Sequence, residues 1–408
     1  MRYVIVGGSI AGLACAGRIR ELDSTSDVLI LSEEARPYSK MALPSLLAGE
    51  MREEHIWLDV PADVQFQGQE DAVRIEPARH IVITSRDREV GYNRLLIASG
   101  AGASPPDFEG SHCDGVFTVR NMSDIQGIQE SLKSAKRGKV IISGAGLVSM
   151  EMGDALLKKG FKPIYLVSSQ KILSQILDEG GSDFLKQYLP AKGAEFHFGQ
   201  SIKRVHESDA GIVVRTVSGN EFEGDFLVVG KGAVPNTGYL AASGIALDDG
   251  VLVDEYLKTS HEDIFAAGDV CQAFDMMYNE KRVNALWPVA IEQGRHAAMN
   301  MTSYHEPYQG SISRNVVTIF GTVVFAAGLS RSTDLESYQR QSSNRYARIM
   351  LKDGRLAGAV FINVRIDPGC YLLAMQSRTE IAHLKDVLLS GSLSYVHLHP
   401  FLTASRIF

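Results

Sequence analysis

The chain has 408 residues, 45% of them hydrophobic and 22% charged, a globular balance over a length that calls for two or three domains rather than one small core. Its 48 acidic and 41 basic residues give a formal net charge of −7, which argues against nucleic acid as a partner and leaves small substrates open. Four widely separated cysteines (Cys15, Cys113, Cys271, Cys370) form no C-x-x-C pair, so neither a metal centre nor a redox dithiol is indicated, and a reducing, cytoplasmic setting is expected.

In chain order, residues 3–6 read as an apolar strand, followed by a glycine turn, a helix from Ile10 to Leu22 and a second strand at 28–31. Arg2, the apolar run from Val4 and the small residues Ala14-Cys15-Ala16 could pass for a secretory leader. The complete strand-turn-helix unit accounts for the same residues, and no leader is expected. A second unit of this kind runs through a strand at 139–143, another glycine turn, a helix to Lys159 and a strand at 163–167. Strand-like and helical runs alternate through the first three quarters of the chain, the pattern of parallel βαβ units. Two such units imply two nucleotides, or one nucleotide and a lost site.

After about Tyr308 the texture changes to strand patterns at 315–324, 346–351 and 356–362, then two short helical stretches within 369–389. This is an α+β unit with no nucleotide signature. No stretch reaches the ~20 apolar residues of a membrane span. Residues 316–329, interrupted by Thr318, Gly321, Thr322 and Gly328, read as two strands with a Gly-Thr turn.

The first turn, Gly7-Gly8-Ser9-Ile10-Ala11-Gly12, meets the G-x-G-x-x-G pattern at its outer glycines, with Ser9 in the middle. A side chain that small still lets backbone N–H groups approach a pyrophosphate at the positive end of the helix. Glu33, just past the second strand, stands where a carboxylate grips ribose hydroxyls. The second turn, Gly144-Ala145-Gly146-Leu147-Val148-Ser149, keeps two glycines and replaces the third with Ser149, where close helix–strand packing prefers glycine. Beyond its second strand stand Val167-Ser168-Ser169-Gln170-Lys171 instead of an acid, which leaves NADH, NADPH and weak binding all open. A third element ends a strand in Ala266-Ala267-Gly268-Asp269. It puts the Asp269 carboxylate at a strand's carboxyl end, where open α/β sheets bind ligands and where an acid can accept hydrogen bonds from a sugar-alcohol chain.

With these motifs in order, nearly the whole chain resembles the FAD-dependent pyridine-nucleotide oxidoreductases of the glutathione-reductase structural family. The resemblance implies an α/β fold with two Rossmann-like dinucleotide-binding domains, one for FAD and one for NAD(P), plus a C-terminal α+β interface domain. The implied boundaries are 1–110 and 235–308 for the FAD domain, 111–234 for the nicotinamide domain and 309–408 for the interface domain. It implies FAD bound by Gly7, Ser9, Gly12 and Glu33, by Ala98-Ser99-Gly100 after a strand at 94–97, and by Gly268 and Asp269. Trp287, Ala290, Gln293 and Gly294 match a W-x-x-A-x-x-Q-G helix whose N-terminal end faces the flavin and favours negative charge on the reduced ring. Gly144, Gly146, Glu151 and Ser168 fall to the nicotinamide unit, and Gly232 with Pro235 to the junction where the chain returns to the FAD domain.

Family members that reduce disulfides, peroxide or oxygen carry a redox cysteine just after the Glu33 region. Here the run is Pro37-Tyr38-Ser39-Lys40-Met41-Ala42-Leu43-Pro44, similar to a segment of rubredoxin reductases, ferredoxin reductases and the flavin portion of assimilatory nitrite reductases. By that resemblance Lys40 lies near the flavin, where a cation favours the anionic reduced ring. His399-Pro400, similar to the His-Pro of disulfide reductases, lacks a partner thiol and reads as a solvated tail.

The expected activity is electron transfer from NADH or NADPH through FAD to an iron-sulfur or rubredoxin-like protein, or to a neighbouring subunit. A homodimer or a larger complex is compatible with it. Two rivals stand beside it: a peroxide-forming NADH oxidase, and a flavin-binding structural or redox-sensing subunit with a vestigial nicotinamide site.

Overall fold

The computed structural model describes the backbone of residues 1–404 and the side chains of residues 1–399. The chain opens with β1 (Arg2–Val6), α1 (Ile10–Leu22) and β2 (Asp27–Leu31), followed by β3 (Gln65–Gln67) and β4 (Arg94–Ile97). The middle holds β5 (Val116–Thr118), α2 (Met122–Ser134), β6 (Lys139–Ser143), α3 (Leu147–Lys158), β7 (Lys162–Val167), α4 (Glu179–Tyr188), β8 (Glu195–Phe198) and β9 (Phe226–Val229). Then come β10 (Ile264–Ala266), α5 (Trp287–Met301) and a C-terminal set: β11 (Arg314–Ile319), β12 (Thr322–Gly328), β13 (Glu336–Gln341), β14 (Tyr346–Lys352), β15 (Arg355–Ile362), α6 (Pro368–Gln376) and α7 (Tyr395–Ala404). Among the described residues no helix is long and apolar enough to cross a membrane.

Two compact units result. One comprises Met1–Ala42, Met51–Gly102 and Ala233–Ser313; the other comprises Leu43–Glu50, Ala103–Gly232 and the chain from Arg314 onward. The first is built on a parallel sheet of order β10-β4-β1-β2-β3. Its central strands are continuous apolar runs, as strands buried on both faces must be, and Val4, Ile5, Ile30 and Leu96 are fully buried. The registers Val6 with Leu31, Val6 with Ile97 and Ala266 with Ile97 bring four strands to an end at one level of the sheet.

The second unit repeats the plan with a parallel sheet of order β8-β7-β6-β9-β5. Here Ser143 is level with both Leu166 and Val229, and Val229 with Thr118. Its C-terminal segment forms an antiparallel sheet of order β11-β12-β15-β14-β13. The turn expected within 316–329 is found at Phe320-Gly321, between β11 and β12. The outer strand β13 escapes a pattern search because Glu-Ser-Tyr-Gln-Arg-Gln has no buried face; it is held by backbone pairing to β14.

Asp154 ties three segments of the second unit together. It is buried on α3, accepts a hydrogen bond from the Phe320 amide (3.0 Å), and pairs with Lys158 (2.9 Å), which also reaches Glu50 (2.8 Å). The segment 43–50 is thereby joined to the helix that follows the second glycine turn.

Candidate dinucleotide sites

In the first unit the glycine turn emerges directly from β1. Gly7 has φ +117°, its amide donates to Leu31 (2.8 Å), and a Cβ on it would overlap the Ala98 carbonyl oxygen. A Cβ on Gly12 would overlap the Gly7 carbonyl oxygen, so α1 starts as close to the turn as backbone allows. Ser9 occupies the N-cap position with extended backbone but makes no side-chain cap, and no acidic residue lies in the first helical turn. The amides opening α1 therefore keep the positive character of a helix N-terminus. Glu33 is exposed, two residues beyond the end of β2.

Two further strand ends arrive at the same level. After β4, Ala98 donates its amide to Val6 (2.8 Å). Ser99 donates from Oγ to the Asn236 carbonyl (3.0 Å) and accepts at Oγ from Tyr239 OH (3.2 Å), while Asn236 Nδ2 donates to the Ser99 carbonyl (2.9 Å). After β10, Gly268 has φ +80° and donates its amide to the buried Gln293 Oε1 (2.8 Å). A Cβ on Gly294 would overlap the Ala11 carbonyl oxygen, so α1 and α5 approach at backbone contact beside that turn. Asp269 is half-buried next to it, and Trp287 opens α5 with Pro288 behind it in the first turn and no side-chain cap ahead. Gly7, Glu33, Ser99 and Asp269, scattered over most of the chain, thus lie along one edge of one sheet.

Lys40 is half-buried in a single 3-10 turn, Lys40–Ala42. The run before it is fixed by pairing with a later loop. Ser39 donates to the Ile56 carbonyl (2.8 Å), Leu58 donates to the Pro37 carbonyl (3.0 Å), and Tyr38 meets Trp57 edge to face at 6.1 Å.

In the second unit Gly144 has φ +88° and donates to Leu166 (2.9 Å), and Gly146 caps α3 without any side-chain contribution. Ser149, expected to strain the packing, is fully buried and satisfied: Oγ donates to the Ser143 carbonyl (3.1 Å), with the Gly230 carbonyl at 3.3 Å. The missing third glycine is compensated just past the end of β9, because a Cβ on Gly230 would overlap Ser149 Oγ. Glu151 lies on α3, its pKa pushed up to about 7 by burial and by the nearby charge of Asp154. Ser168, Ser169, Gln170 and Lys171 are all exposed beyond β7. Gly232 has φ +94° at the point where the chain leaves the second unit for the first.

Cys15, Cys271 and Cys370 are buried, Cys113 is half-buried, and none is in a disulfide. Burial pushes the thiols of Cys15 and Cys271 far up. Among the described residues no group of His, Cys, Asp and Glu is arranged to hold a metal. His399 is exposed on α7, its ring 5.8 Å from that of Tyr395, while the Pro400 side chain lies outside the described residues.

Four supporting residues carry no signal that a motif search would find. Asn236 and Tyr239 hold the 98–100 turn from 137 and 140 residues away. Gly230 makes room for Ser149, and Gln175 places its Oε1 3.4 Å from where a Cβ on Gly146 would be.

Comparison with known proteins agrees with this arrangement. The profile of the pyridine nucleotide-disulphide oxidoreductase family matches residues 1–294. Over 407 residues the chain is 27% identical to the NADH-dependent phenylglyoxylate dehydrogenase subunit epsilon of Aromatoleum evansii, with 96% of each chain covered. Over 318 residues it is 30% identical to the 5,5'-dehydrodivanillate O-demethylase ferredoxin reductase subunit of a Sphingobium species, covering 75% of this chain and 76% of that one. The reductase of the covalent putidaredoxin reductase–putidaredoxin complex has the same fold, with a TM-score of 0.88 at 20% identity over 100% of this chain and 99% of that one. Four strand ends aligned around a glycine turn, a second such turn on its own parallel sheet and the match over residues 1–294 lead to one conclusion: the chain belongs to the pyridine nucleotide-disulphide oxidoreductase family of FAD- and NAD(P)H-using enzymes.

Proposed function

We propose that this protein takes electrons from NADH or NADPH into FAD and passes them to a separate iron-sulfur or rubredoxin-like protein, with no cysteine taking part. The observation that carries the reading is the common level reached by β1, β2, β4 and β10, which brings Gly7, Glu33, Ser99 and Asp269 to one sheet edge. That edge suits FAD because Gly7 and Gly12 let α1 start in backbone contact with the turn and the N-terminus of α1 is not capped by Ser9, which leaves its amides for a pyrophosphate.

In this reading residues 1–110 and 235–308 hold FAD, 111–234 hold the nicotinamide and 309–408 serve as an interface domain. Gly7, Ser9 and Gly12 present backbone amides to the pyrophosphate, and Glu33 accepts from the ribose. Ala98, Ser99 and Gly100 form the wall of the cradle, Gly268 and Asp269 hold the ribityl chain, and Lys40 and the Trp287 end of α5 supply positive potential at the ring. Gly144 and Gly146 receive the second pyrophosphate, Ser168 the adenosine ribose, and Glu151 borders the nicotinamide; Gly232 lets the chain turn between the two roles. Bound FAD supplies the conversion from a two-electron hydride to single electrons. Neither transfer requires a side-chain thiol, and the run 37–44 contains none.

The test is anaerobic stopped-flow mixing with NADH and with NADPH. Rapid bleaching of the yellow enzyme by one of them, followed by reoxidation on adding an iron-sulfur acceptor, is expected. Absence of bleaching by either sinks the nicotinamide half of the reading, and fast turnover in air with no protein acceptor favours a peroxide-forming oxidase instead.

A second reading has the chain as the nicotinamide-facing subunit of a larger dehydrogenase. It is favoured by the likeness to a subunit epsilon over 96% of both chains. Co-purification of stoichiometric partner subunits with the native protein distinguishes it.

A further inference from the structure

The loop 168–178, which follows the second strand of the nicotinamide unit, is held from two directions. On one side it folds back over the glycine turn. Leu173, buried at φ +50°, donates its amide to the Ala145 carbonyl (2.8 Å), and the exposed Gln175 carries its Oε1 over Gly146, the residue that opens α3. On the other side it is fastened to the C-terminal sheet. Ser330 Oγ donates to the Ile176 carbonyl (2.8 Å), and Arg331 reaches the Ser174 carbonyl (3.3 Å). Asp178 is buried and caps α4 through the Gly181 amide (3.3 Å). Its other oxygen accepts from Tyr346 OH (2.7 Å) and pairs with Nη1 of the buried Arg348 (3.1 Å), whose Nη2 donates to the Ser332 carbonyl (3.0 Å) and to Ser337 Oγ (3.2 Å).

A left-handed, fully buried leucine persists only where its surroundings over-determine it. The surroundings here are the glycine turn and the Asp178 anchor. A carboxamide suspended over the uncapped start of α3 can turn its NH2 toward an anion that occupies that start.

Resting on the reading of this turn as the nicotinamide site, we propose that Gln175 hydrogen-bonds the pyrophosphate of the nicotinamide nucleotide, and that Asp178, Tyr346 and Arg348 are positioning residues that hold it there. The C-terminal sheet thereby sets nicotinamide affinity while touching no part of the nucleotide.

The test is equilibrium titration of the oxidised holoenzyme with NAD+ and NADP+, on wild type, Gln175→Ala, Gln175→Glu, Tyr346→Phe and the Gln175→Ala/Tyr346→Phe double variant, with FAD content measured on each. Tyr346→Phe keeps the Arg348 pair on Asp178 and removes one hydrogen bond. The expected result is roughly 3- to 30-fold weaker binding for Gln175→Ala and for Tyr346→Phe. Gln175→Glu, which sets a negative charge against the pyrophosphate, is weaker still and recovers as salt is raised. The double variant resembles Gln175→Ala alone, since both changes act through one amide. Wild-type affinity in Gln175→Glu overturns the proposal, as does an additive loss in the double variant or a loss of FAD from Tyr346→Phe. If wild type itself shows no saturable binding of either nucleotide, the nicotinamide reading of the turn falls first and takes the proposal with it.

Discussion

Ser149 and Gly230 share one space: the Ser149 hydroxyl lies 3.3 Å from the Gly230 carbonyl, where a methyl group on Gly230 would overlap it. Gly230→Ala is therefore expected to lower stability by about 1–3 kcal/mol through overpacking. Ser149→Gly alone should cost about 1 kcal/mol through loss of its buried hydrogen bond to the Ser143 carbonyl. The double variant should be more stable than Gly230→Ala alone, because each change relieves the other. Urea melts of the four proteins check this, and strictly additive losses would remove the claim of compensation.

The Gly268 amide depends on Gln293. Gln293→Leu leaves that buried donor without its acceptor, at a cost of about 1–3 kcal/mol, and loosens the turn that carries Asp269. Faster loss of FAD on ultrafiltration is expected, with nicotinamide affinity of the remaining holoenzyme unchanged.

Glu151 makes stability depend on pH in a defined direction. Its folded pKa is raised to about 7, so between the ordinary value of 4.5 and about 7 the folded state binds more protons than the unfolded state. Stability contributed by this group therefore falls as pH rises through that window, by on the order of 3 kcal/mol. Glu151→Gln should abolish that part of the slope and be the more stable protein at pH 8. Melting curves from pH 5 to 8 without added nucleotide measure it, and parallel pH profiles for the two proteins would contradict it.

Lys40→Met should remove positive potential from the flavin. The expected outcome is a lower flavin reduction potential and about tenfold slower reduction by the nicotinamide, with FAD retained. Potentiometric titration beside stopped-flow reduction tells the two effects apart, and an unchanged potential would place Lys40 away from the ring.

Much of the molecule is legible from local pattern because parallel strands buried on both faces must be continuous apolar runs, and because a backbone approaching a phosphate must shed its side chains. Helix Ile10–Leu22 and strands Lys139–Ser143 and Arg94–Ile97 fall where the apolar runs and turns put them. What stays hidden depends on partners distant in the chain. The strand Glu336–Gln341 is polar throughout and exists through pairing with Tyr346–Lys352. The exchange of room between Ser149 and Gly230 spans 81 residues, and the Asp178 anchor spans 168. Segment Leu43–Glu50, read as part of the first nucleotide unit, packs with the second through Lys158, which no periodicity announces.

Because β1, β2, β4 and β10 all stop level with Val6, the edge they share tolerates change very unevenly. One residue inserted within Arg2–Val6 would slide the first glycine turn by about 3.3 Å against its neighbours and turn alternate side chains to the wrong face. The same insertion between Gly49 and Arg52, far from any strand end, would leave the four motifs meeting as before. Drift in length is thus confined to the connecting loops, and strand length becomes the quantity that selection must guard most strictly.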